Sequence, residues 1–591
     1  MRLAMRGGRR RMMAMMQALA VAGIATTASG QVPGDTVRLR SDSAASRVSP
    51  AAPPGAIAPG VSAGSRREDY LRTLQTLGIV RPYPWSLRGF SPREIDLLRP
   101  QTDSHPRSAA SEFQGDSLRL GRGFSVLPAS GDVWLNSSFP FGLNDGAVWR
   151  GRGLTAAISG GVQGRWGPVS LTFAPIAFVA QNADFPLMDN GVEGPLRFGD
   201  GQYAGGVDLP QRFGDGAYAV LDPGQSSLRF DTRYVAFGAS TANQAWGPMS
   251  EFPVLLGDKA AGFPHVFFGT GSPVNIFIGS LHARVMYGQL GQSDYSPIVE
   301  PEPRRFASGI AAVFSPRGLP TLEIGAGRFF HMVWPQGGPG SYELRRPFES
   351  FFKSSLSVTV RAGDDTLTHV ENQLAGVFFR WVFPSHGLEV YGETGREDHN
   401  WDQRDLVLEL DHSATYGIGL RKAWRTPGRI RVFRGETMNF QLRTGALHRG
   451  EGGIYLHAPI RQGHTHRGQL LGAGFGVASA SGTVLAFEQH DARRSTTVAW
   501  SRFVRQERFR ELIVPPWELN LDSTDVQHAL EVEHRFDRGG RQFRVGLGGV
   551  YEFNRNFGKD AFNLMLSGGI DLFPARRARA VSATPPPTAG Q

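Results

Sequence analysis

The sequence predicts an all-β protein: a large transmembrane antiparallel β-barrel of about 18 strands that follows a small N-terminal periplasmic helical element. Short runs in which apolar and polar side chains alternate recur from about residue 123 to residue 573. No helical periodicity of useful length interrupts them, and many of the 75 glycines lie inside these runs. Alternation gives each strand one apolar and one polar face, and glycine within strands suits a large curved sheet.

The composition limits the class of protein. With 591 residues the chain is longer than one ordinary soluble domain, yet an apolar content of 40% is too low for a helical membrane protein. There is no cysteine, so the sequence offers neither a disulfide framework nor a thiolate metal site. The formal charge of +10 favours acidic lipid headgroups or acidic polymers as partners, and we do not expect nucleic acid to be one.

The first 30 residues have the pattern of a secretory signal peptide. Five arginines between positions 2 and 11 precede an apolar run from residue 12 to residue 25, and Ala28-Ser29-Gly30 offers a small-residue cleavage site. The alternative, a membrane anchor helix, needs about 20 apolar residues, and this run is shorter. Residues 31–64 are rich in Ala, Pro, Ser and Gly without periodicity, which predicts a disordered leader.

Two capping signals predict short helices within residues 65–122, the periplasmic helical element. Ser65 is followed three residues later by Glu68 and then by an apolar stripe that Gly78 ends. The segment Ser91-Pro92-Arg93-Glu94 repeats the signal, with proline at the first helical position. A small helical part therefore precedes the sheet.

The clearest pair of strands lies within Ser226–Leu290. Apolar or small residues occupy alternate positions from Leu228 to Ala236 in the first strand, and mostly do so from Phe277 to Tyr287 in the second. The intervening positions of both strands are largely polar or charged. Each strand is therefore expected to place one face in an apolar environment and the other in a wet one.

The second half of the chain continues this alternation. Phe543–Phe553 is one such run, and we also interpret Leu388–Glu393 and residues 406–411 as strands, with Thr394–Asp405 as a polar loop between them. The run that ends at Phe573 finishes in an aromatic residue, as expected of a barrel-closing strand. Residues 574–591 are rich in Arg and Pro and are predicted to be a disordered tail.

Alternation alone also fits a soluble β-sandwich. The signal peptide, the length of the strand region and the aromatic residues at strand ends, such as Tyr287 and Trp381, favour a barrel in the bacterial outer membrane.

Several segments resemble the Wzi family of outer-membrane capsule-assembly proteins. The resemblance covers most of the chain after the leader and rests on Asn144-Asp145-Gly146 with Trp149-Arg150-Gly151-Arg152-Gly153, Trp246-Gly247-Pro248 with Gly262-Phe263-Pro264, Leu388–Glu393, and His466–Gly472. It implies a barrel of about 18 strands with a periplasmic helical part, acting as a surface lectin that holds capsular polysaccharide to the outer membrane. The chain departs from the family pattern at Gly257-Asp258-Lys259-Ala260-Ala261, where the family tends to carry Ser-Asn-Asn-Ala.

The candidate binding residues combine aromatic rings with charge. Trp246 is a candidate platform for a sugar ring, and Arg284 offers N–H groups in the fork geometry that binds carboxylates. The candidates in the predicted polar loop are Arg396, Glu397, Asp398 and Trp401. The alternative interpretation is structural, because turns and solvated loops beside a charged lumen contain the same residue types.

No catalytic, metal or cofactor site is predicted. The sequence has neither a G-x-S-x-G elbow nor an H-E-x-x-H helix, and His464 and His466 lack a third ligand at a fixed spacing. The leading hypothesis is a non-enzymatic outer-membrane barrel that attaches, or helps to assemble, capsular or other surface polysaccharide. The alternative is an outer-membrane porin or substrate-specific diffusion channel. Expected partners are the polysaccharide, outer-membrane lipid and lipopolysaccharide, and capsule export machinery.

Overall fold

A computed structural model describes residues 61–98, 100, 105–108, 119–121, 123–349, 371–397, 402–441, 453–457, 459–507 and 524–571. The predicted signal peptide and C-terminal tail lie outside these residues, as does most of the predicted leader. The α-helices are α1 (Arg66–Thr76), α2 (Pro92–Leu97), α3 (Ser341–Arg345) and α4 (Gln403–Leu408). Single 3-10 turns occur at Gly194–Phe198, Arg346–Phe348 and Pro384–His386. None of the described helices is long and apolar enough to cross a membrane.

Both predicted helix starts are present. The Ser65 hydroxyl accepts a hydrogen bond from the backbone N–H of Glu68 at 3.4 Å. Ser91 and Glu94 form a reciprocal capping box at the start of α2. These caps satisfy backbone N–H groups that a helix start otherwise leaves without partners.

Strands joined by turns and loops make up most of the remaining described chain. The first half contains β1 (Leu87–Arg88), β2 (Arg119–Gly121), β3 (Phe124–Asn136), β4 (Gly153–Trp166), β5 (Val169–Phe173), β6 (Ile176–Ala180), β7 (Tyr218–Asp222), β8 (Ser227–Asp231), β9 (Ala236–Ser240), β10 (Ala245–Trp246), β11 (His265–Gly269), β12 (Val274–Asn275) and β13 (Gly279–Leu290). The second half contains β14 (Arg305–Pro316), β15 (Leu322–Val333), β16 (Glu371–Phe383), β17 (Leu388–Glu397), β18 (Ala414–Thr426), β19 (Arg429–Asn439), β20 (Thr465–His466), β21 (Gln469–Leu470), β22 (Ala480–Asp491), β23 (Arg494–Gln506), β24 (Thr524–Arg538), β25 (Arg541–Arg555) and β26 (Lys559–Asp571).

Most of these strands form a closed antiparallel barrel. The barrel has 18 strands when β5 with β6, β7 with β8, and β11 with β12 are each counted as one interrupted barrel strand. Pro175 lies between β5 and β6, and Pro223 follows β7, where a missing N–H breaks the ladder. The barrel closes where β26 pairs with β3, from Met565 opposite Asn136 to Asp571 opposite Ser130. The predicted fold class and strand number are confirmed.

The outer wall is apolar and the inner wall is largely polar. On β25, Val545 and Leu547 are 49% and 57% exposed on the outside, while Glu552 is buried on the opposite parity. Exposed apolar side chains recur around the barrel, among them Val133, Ile158, Phe268, Ile324, Val377, Leu485, Val532 and Leu564. This belt matches the apolar band that a transmembrane barrel presents to lipid.

The two ends of the barrel differ in loop length. Short turns at 167–168, 427–428 and 539–540 join strands at one end, where β3 also begins and β26 ends. Long connections such as 181–217 join strands at the other end. In outer-membrane barrels the short turns face the periplasm and the long loops face outward. We therefore refer to the short-turn end as periplasmic and to the long-loop end as outer.

Two long loops, residues 241–264 and the described part of 453–479, fold into the lumen, and we call them the inward loops. Inward-facing glycines on β14 and β17 make room for the first of them. A Cβ on Gly309 of β14 would lie 2.7 Å from the Trp246 ring, and a Cβ on Gly395 of β17 would lie 2.2 Å from a Val254 methyl carbon. Any larger residue at these two positions would collide with the inward loop.

Buried carboxylates of the wall hold the same loop in place. Glu393 of β17 accepts hydrogen bonds from the backbone N–H groups of Met249 (2.7 Å) and Val254 (2.9 Å). Glu436 of β19 accepts others from Ser250 (2.8 Å) and Glu251 (2.7 Å). The centre of the lumen beside β13–β19 is therefore filled by packed chain.

Helix α1 lies in the periplasmic mouth of the barrel. Nε of Arg72 lies 2.8 Å from Oε1 of Glu389 in β17, and Nε of Arg380 in β16 lies 2.8 Å from the same oxygen. Arg421 of β18 contacts Asp69 of α1. The residues that we predicted to form a separate helical element thus belong to one compact unit with the barrel.

The folded part of the chain begins slightly before the predicted boundary at Ser65. Val61 is buried and pairs with Phe90, so the last four residues of the predicted leader are already part of the fold. Strand β2 at 119–121 immediately precedes β3, the first long barrel strand, which begins at Phe124, and pairs with it.

The segment from Leu228 to Ala236 is not one strand, as we predicted, but two. Strand β8 ends at Asp231 and β9 begins at Ala236. The hydroxyl of Thr232 accepts a hydrogen bond from the N–H of Val235 (2.9 Å), which closes a tight turn between them.

The interpretation of residues 406–411 as a strand is wrong. Residues 403–408 form α4, whose N-terminus is capped by Asp402 through a bond from the N–H of Asp405 (2.8 Å). The leucines at 406, 408 and 410 are spaced by two, which suits a strand, but the cap and the short length favour one helical turn and a half. Strand β17 also continues to Glu397, so the polar loop begins later than Thr394.

Candidate functional site

The outer half of the barrel contains a cleft between the wall and the inward loops. It consists of two adjoining cavities of about 240 Å³ and about 290 Å³, and we call it the outer cleft. The residues that line both cavities are Trp149, Pro210, Gln211, Lys259, Gln469, Gly474, Phe475, Arg505 and Asn556. Their elements meet at the long-loop end, so the cleft lies on the side that faces outward.

One wall of the outer cleft carries alternating positive and negative charge. Nη2 of Arg505 lies 2.5 Å from Oδ2 of Asp525 and 3.4 Å from Oε1 of Glu552. Nε of Arg555 lies 3.4 Å from the other oxygen of Glu552. Strand parity places the inward positions Arg505 of β23, Asp525 of β24 and Glu552 of β25 next to one another. Arg555 joins them because the register of β25 shifts after Glu552.

Arg505 keeps hydrogen-bonding capacity toward the cleft. Its side chain is 36% exposed, although Asp525 and Glu552 are almost fully buried. Among the residues that the structure describes, the acceptors of Arg505 all meet Nη2. A guanidinium has five N–H donors in a rigid fork, so Nε and Nη1 have no acceptor among those residues.

Aromatic rings line the cleft beside these charges. The guanidinium carbon of Arg555 lies 4.5 Å from the ring centroid of Phe139. Trp149 packs edge-on against Phe213 at 5.2 Å, and Phe475 lies on the inward-loop side. Apolar ring faces beside charged hydrogen-bonding groups suit a ligand that has both C–H faces and hydroxyl or carboxylate groups.

The floor of the outer cleft is built by the connection between β3 and β4. Nη2 of Arg150 lies 2.6 Å from Oδ1 of Asp145, and Nζ of Lys259 donates to the carbonyl oxygen of Gly142 at 3.0 Å. Burial raises the pKa of Asp145 and lowers that of Lys259. The N–H of Gly146 donates to the carbonyl of Asp258 at 2.8 Å, which ties this connection to the first inward loop.

The two candidate residues from the middle of the chain do not lie in the outer cleft. Trp246 is fully buried, pairs with Leu87 in the small β1–β10 sheet and packs on Phe329. Arg284 is buried beneath the helical part, where it contacts Gln244. The predicted stacking and fork roles do not fit these positions, because no ring face or guanidinium edge there is open to a polymer.

Of the four candidates from the predicted loop, the two that the structure describes line neither cavity of the outer cleft. Arg396 and Glu397 lie in β17 and are buried: Arg396 donates to the carbonyl of Glu409 (3.2 Å), and Glu397 accepts from the N–H of Tyr455 (3.0 Å). Both residues therefore belong to the end of β17, where their hydrogen bonds hold neighbouring chain in place, and not to a loop. Asp398 and Trp401 lie outside the described residues.

His464 and His466, the pair considered for metal binding, belong to the second inward loop. Nε2 of His464 lies 2.6 Å from the carbonyl oxygen of Leu255, and Nδ1 of His466 accepts from the N–H of Gly291 at 3.0 Å. Burial lowers the pKa of His464 to about 4. Both rings therefore pack the two inward loops against their surroundings.

One segment of the sequence pointed to the outer cleft. Trp149 and Arg150 stand in a segment that carried the family resemblance, yet only the folded barrel brings Trp149 beside Arg505, 356 positions later. Arg505 occupies an inward position of β23, which marks it as lumenal but does not distinguish it from the other lumenal arginines. Arg555 has the same parity as the outward Val545, and it faces inward only because the register of β25 shifts after Glu552.

No protein-family model matches the chain, and no curated protein matches its sequence. Among solved structures, it is similar to Wzi from Escherichia coli, described as an outer-membrane, carbohydrate-binding β-barrel involved in group 1 capsule assembly. The identity is 14%, the match covers 86% of this chain and 98% of that chain, and the TM-score is 0.55.

Two further solved barrels align with lower scores. OccK2 from Pseudomonas aeruginosa, in complex with glucuronate, matches at 9% identity over 76% of this chain and 96% of that chain, with a TM-score of 0.34. A BenF-like porin from Pseudomonas fluorescens matches at 9% identity over 76% and 98%, with a TM-score of 0.36. The similarity to Wzi alone, at a TM-score of 0.55, confirms the resemblance in the fold: the chain is a barrel of the kind found in the bacterial outer membrane.

Proposed function

We propose that this outer-membrane barrel binds a surface polysaccharide in its outer cleft and holds it at the cell surface without chemical conversion. The observation that carries the proposal is the cleft itself, where Trp149, Phe475 and Arg505 line one space at the outward-facing end. Sugars present C–H faces that pack on aromatic rings and hydroxyl or carboxylate groups that hydrogen-bond to arginine and acidic side chains.

The filled lumen supports this function over the alternative of a diffusion channel. The inward loops occupy the centre of the lumen through buried contacts to Glu393 and Glu436. The contacts are many and buried, so the free energy needed to displace the loops is large compared with that of an exposed loop.

The comparison with Wzi supports the same function at the level of fold. That barrel is described as carbohydrate-binding, and the present chain shares its architecture over most of its length. At 14% identity the binding residues do not transfer, so the outer cleft of this chain is argued from its own side chains. Contacts with lipopolysaccharide and with capsule export machinery remain predictions.

The test uses two cleft variants that preserve packing. Trp149→Leu removes the aromatic face, and Arg505→Lys keeps the charge beside Asp525 and Glu552 while losing the fork. Matched controls are Trp166→Leu and Arg494→Lys, which make the same chemical changes at exposed positions near the periplasmic end. Each protein is purified as a folded barrel and titrated with surface polysaccharide from the producing strain and with arrayed oligosaccharides.

We expect each cleft variant to bind about 5 to 150 times more weakly, which corresponds to the loss of about 1–3 kcal/mol per hydrogen-bonded or stacked partner. The two controls are expected to bind like the parent. Cells that carry the cleft variants are expected to release polysaccharide into the medium. Unchanged binding in both cleft variants, with the barrel still heat-resistant in detergent, would remove the cleft as the site, and Trp401→Ala would then test the loop at 398–401.

A further inference from the structure

A band of basic side chains lies on the outer wall of the barrel, at the periplasmic edge of the apolar belt. Strand parity places it there: Arg541 shares the parity of the outward Val545 on β25, and Arg538 shares that of the outward Val532 on β24. The same parity argument applies to β18, β19 and β23, and we call the resulting set the basic band. Its members are Lys422, Arg429, Arg431, Arg494, Arg538 and Arg541.

A row of aromatic rings accompanies the basic band on the same face. Trp424 is directly opposite Arg431 in the β18–β19 ladder. Phe536 is directly opposite Arg494, and its ring stacks on that of Phe543 with the centroids 5.4 Å apart. Aromatic residues of transmembrane barrels concentrate where the hydrocarbon meets the lipid headgroups. The basic band therefore lies at the level of the headgroups.

Three arginines of the band converge at the β24–β25 hairpin. Arg538 and Arg541 are directly opposite each other in the ladder, and both are exposed. Arg494 of β23 is a diagonal neighbour of Arg538, because its own partner in the ladder is Phe536. Diagonal neighbours on one face of a sheet lie within about 7–8 Å of each other. We call these three residues the arginine triad.

The arginine triad has no counter-charge from the part of the chain that the structure describes. Neither a hydrogen bond nor an ion pair joins its three side chains to any described residue. Asp491, across the 492–493 turn from Arg494, is already bound by Arg429, whose Nε lies 2.8 Å from its Oδ1. Like charges directly opposite in a sheet are destabilising. An anion bound between Arg538 and Arg541 would remove that repulsion.

The position of the basic band favours lipid over a soluble partner. Its side chains share the face of the wall that carries the apolar belt, whereas a soluble partner in the periplasm would meet the turns and the mouth of the barrel. The periplasmic leaflet of an outer membrane consists of phospholipid, part of which is anionic. Each Lys or Arg beside an anionic membrane surface strengthens binding about fivefold.

We propose that the basic band binds anionic phospholipid of the periplasmic leaflet, and that the arginine triad holds the phosphodiester group of one such lipid. A guanidinium group donates two parallel N–H bonds in a fork that matches phosphate oxygens. A zwitterionic headgroup would bring its own cation to the triad, so phosphatidylglycerol is favoured over phosphatidylcholine. This site is independent of polysaccharide binding, which concerns the other end of the barrel.

The test measures lipid preference at one place on the purified full-length barrel. The native chain has no cysteine, so Val545→Cys accepts a single bimane label on the outward face above the triad. The barrel is reconstituted in phosphatidylcholine with increasing amounts of brominated phosphatidylglycerol or brominated phosphatidylcholine, whose bromine quenches bimane on contact. Phe379→Cys, on the outward face of β16 above the arginine-free hairpin at 384–387, is the control position for the label.

The parent is expected to prefer phosphatidylglycerol about fivefold at position 545 and less than about twofold at position 379. Arg538→Gln with Arg541→Gln is expected to lower the preference at position 545 to less than about twofold. The matched control, Arg233→Gln with Arg317→Gln, removes the same charge from two other exposed periplasmic hairpins and is expected to leave the preference at position 545 unchanged.

A second measurement separates lipid binding from folding. Because Arg538 and Arg541 repel each other, the glutamine pair is expected to be at least as heat-resistant as the parent in a neutral detergent. Added phosphatidylglycerol is expected to raise the unfolding temperature of the parent more than that of the glutamine pair.

Three outcomes overturn the proposal. One is a parent whose lipid preference is the same at both label positions. Another is a folded glutamine pair that keeps the full preference at position 545. The third is a parent that shows no lipid preference but binds soluble polyglutamate through Arg538 and Arg541, because the band would then serve an acidic polymer.

Discussion

Nε of Arg72 in α1 lies 2.8 Å from Oε1 of Glu389 in β17, and both side chains are almost completely buried although 317 residues of chain separate them. Arg380 shares the same carboxylate. The helix in the periplasmic mouth is therefore held by charge pairs in the low-dielectric interior of the barrel rather than by a surface contact.

Replacing Arg72 by leucine is expected to destabilise the barrel by about 3–5 kcal/mol, because it removes one of the two arginines from a buried carboxylate. The matched control is Arg66→Leu on the same helix, whose partner Glu533 and own side chain are 27% and 54% exposed. Exposed pairs contribute about 0–1 kcal/mol, so this variant is expected to resemble the parent.

The measurement for both variants is the temperature at which the folded band is lost on electrophoresis in detergent. Equal shifts for the two arginines would contradict the buried network as the main attachment of the helix.

A second prediction concerns the inward glycine of β17. Gly395→Ala is expected to cost about 1–3 kcal/mol, because the added Cβ would lie 2.2 Å from a methyl carbon of Val254. The double variant Gly395→Ala with Val254→Ala is expected to recover part of the loss, since the obstructing methyl group is gone. Gly568→Ala, where the nearest atom would be 3.5 Å away, is the control.

Recovery is measured as a double-mutant cycle in denaturant unfolding. Purely additive effects of the two substitutions would show that the inward loop does not rest on this glycine.

A third prediction concerns the faces of the barrel. Spin labels on cysteines at positions 545 and 547 are expected to be accessible to oxygen dissolved in lipid, because Val545 and Leu547 belong to the exposed apolar belt. A label at position 567 is expected to respond to a water-soluble nickel reagent, because Ser567 lines a cavity of about 500 Å³ inside the barrel. Water exposure at all three positions would contradict membrane insertion of this wall.

A fourth prediction follows from the buried carboxyl of Asp258 in the first inward loop. Burial raises its pKa to about 7, nearby Glu68 and Glu251 add to the shift, and Arg88 opposes it. An aspartate in an unfolded chain has a pKa of about 3.9. Between about pH 4 and pH 7 the folded protein therefore holds a proton that the unfolded chain has lost, so the free energy of unfolding falls as pH rises and levels off above that range.

Asp258→Asn is expected to remove this dependence. At about pH 8 the variant is expected to be more stable than the parent, by at most on the order of 4 kcal/mol, and to differ little from it at about pH 4. Unfolding temperatures measured across this range test the slope. Asp215→Asn, at a side chain that is 67% exposed, is the control, and an unchanged slope in Asp258→Asn would rule out this carboxyl as its source.

The alternation of apolar and polar residues predicted the barrel, because one face of each strand contacts lipid and the other face contacts the hydrated or packed lumen. The run ending at Phe573 marked the closing strand, which the structure places at Lys559–Asp571. The two helix starts were also predictable, since a cap involves residues only three positions apart. Each of these features depends on near neighbours in the sequence.

The inward loops and the outer cleft were not predictable in the same way. The fit of Trp246 against Gly309, or of Trp149 beside Arg505, joins residues whose spacing carries no periodic signal. Trp246 looked like an exposed stacking residue because a Trp-Gly-Pro turn has the same sequence whether it lies inside a lumen or on a surface. Only the paired register of the strands decides which of these positions meet.

The seam between β26 and β3 bears on the order in which the molecule is built. It joins the last strand to the first, whereas β16–β18, which contact α1, come from the middle of the chain. The helix is synthesised first, yet its buried charges find their partners only in strands made roughly 300 to 350 residues later, and such distant contacts form slowly. Biogenesis is therefore expected to begin with a half-shell of strands around the helix and the first inward loop, and pairing of the last strand with the first then completes the barrel around chain that is already packed.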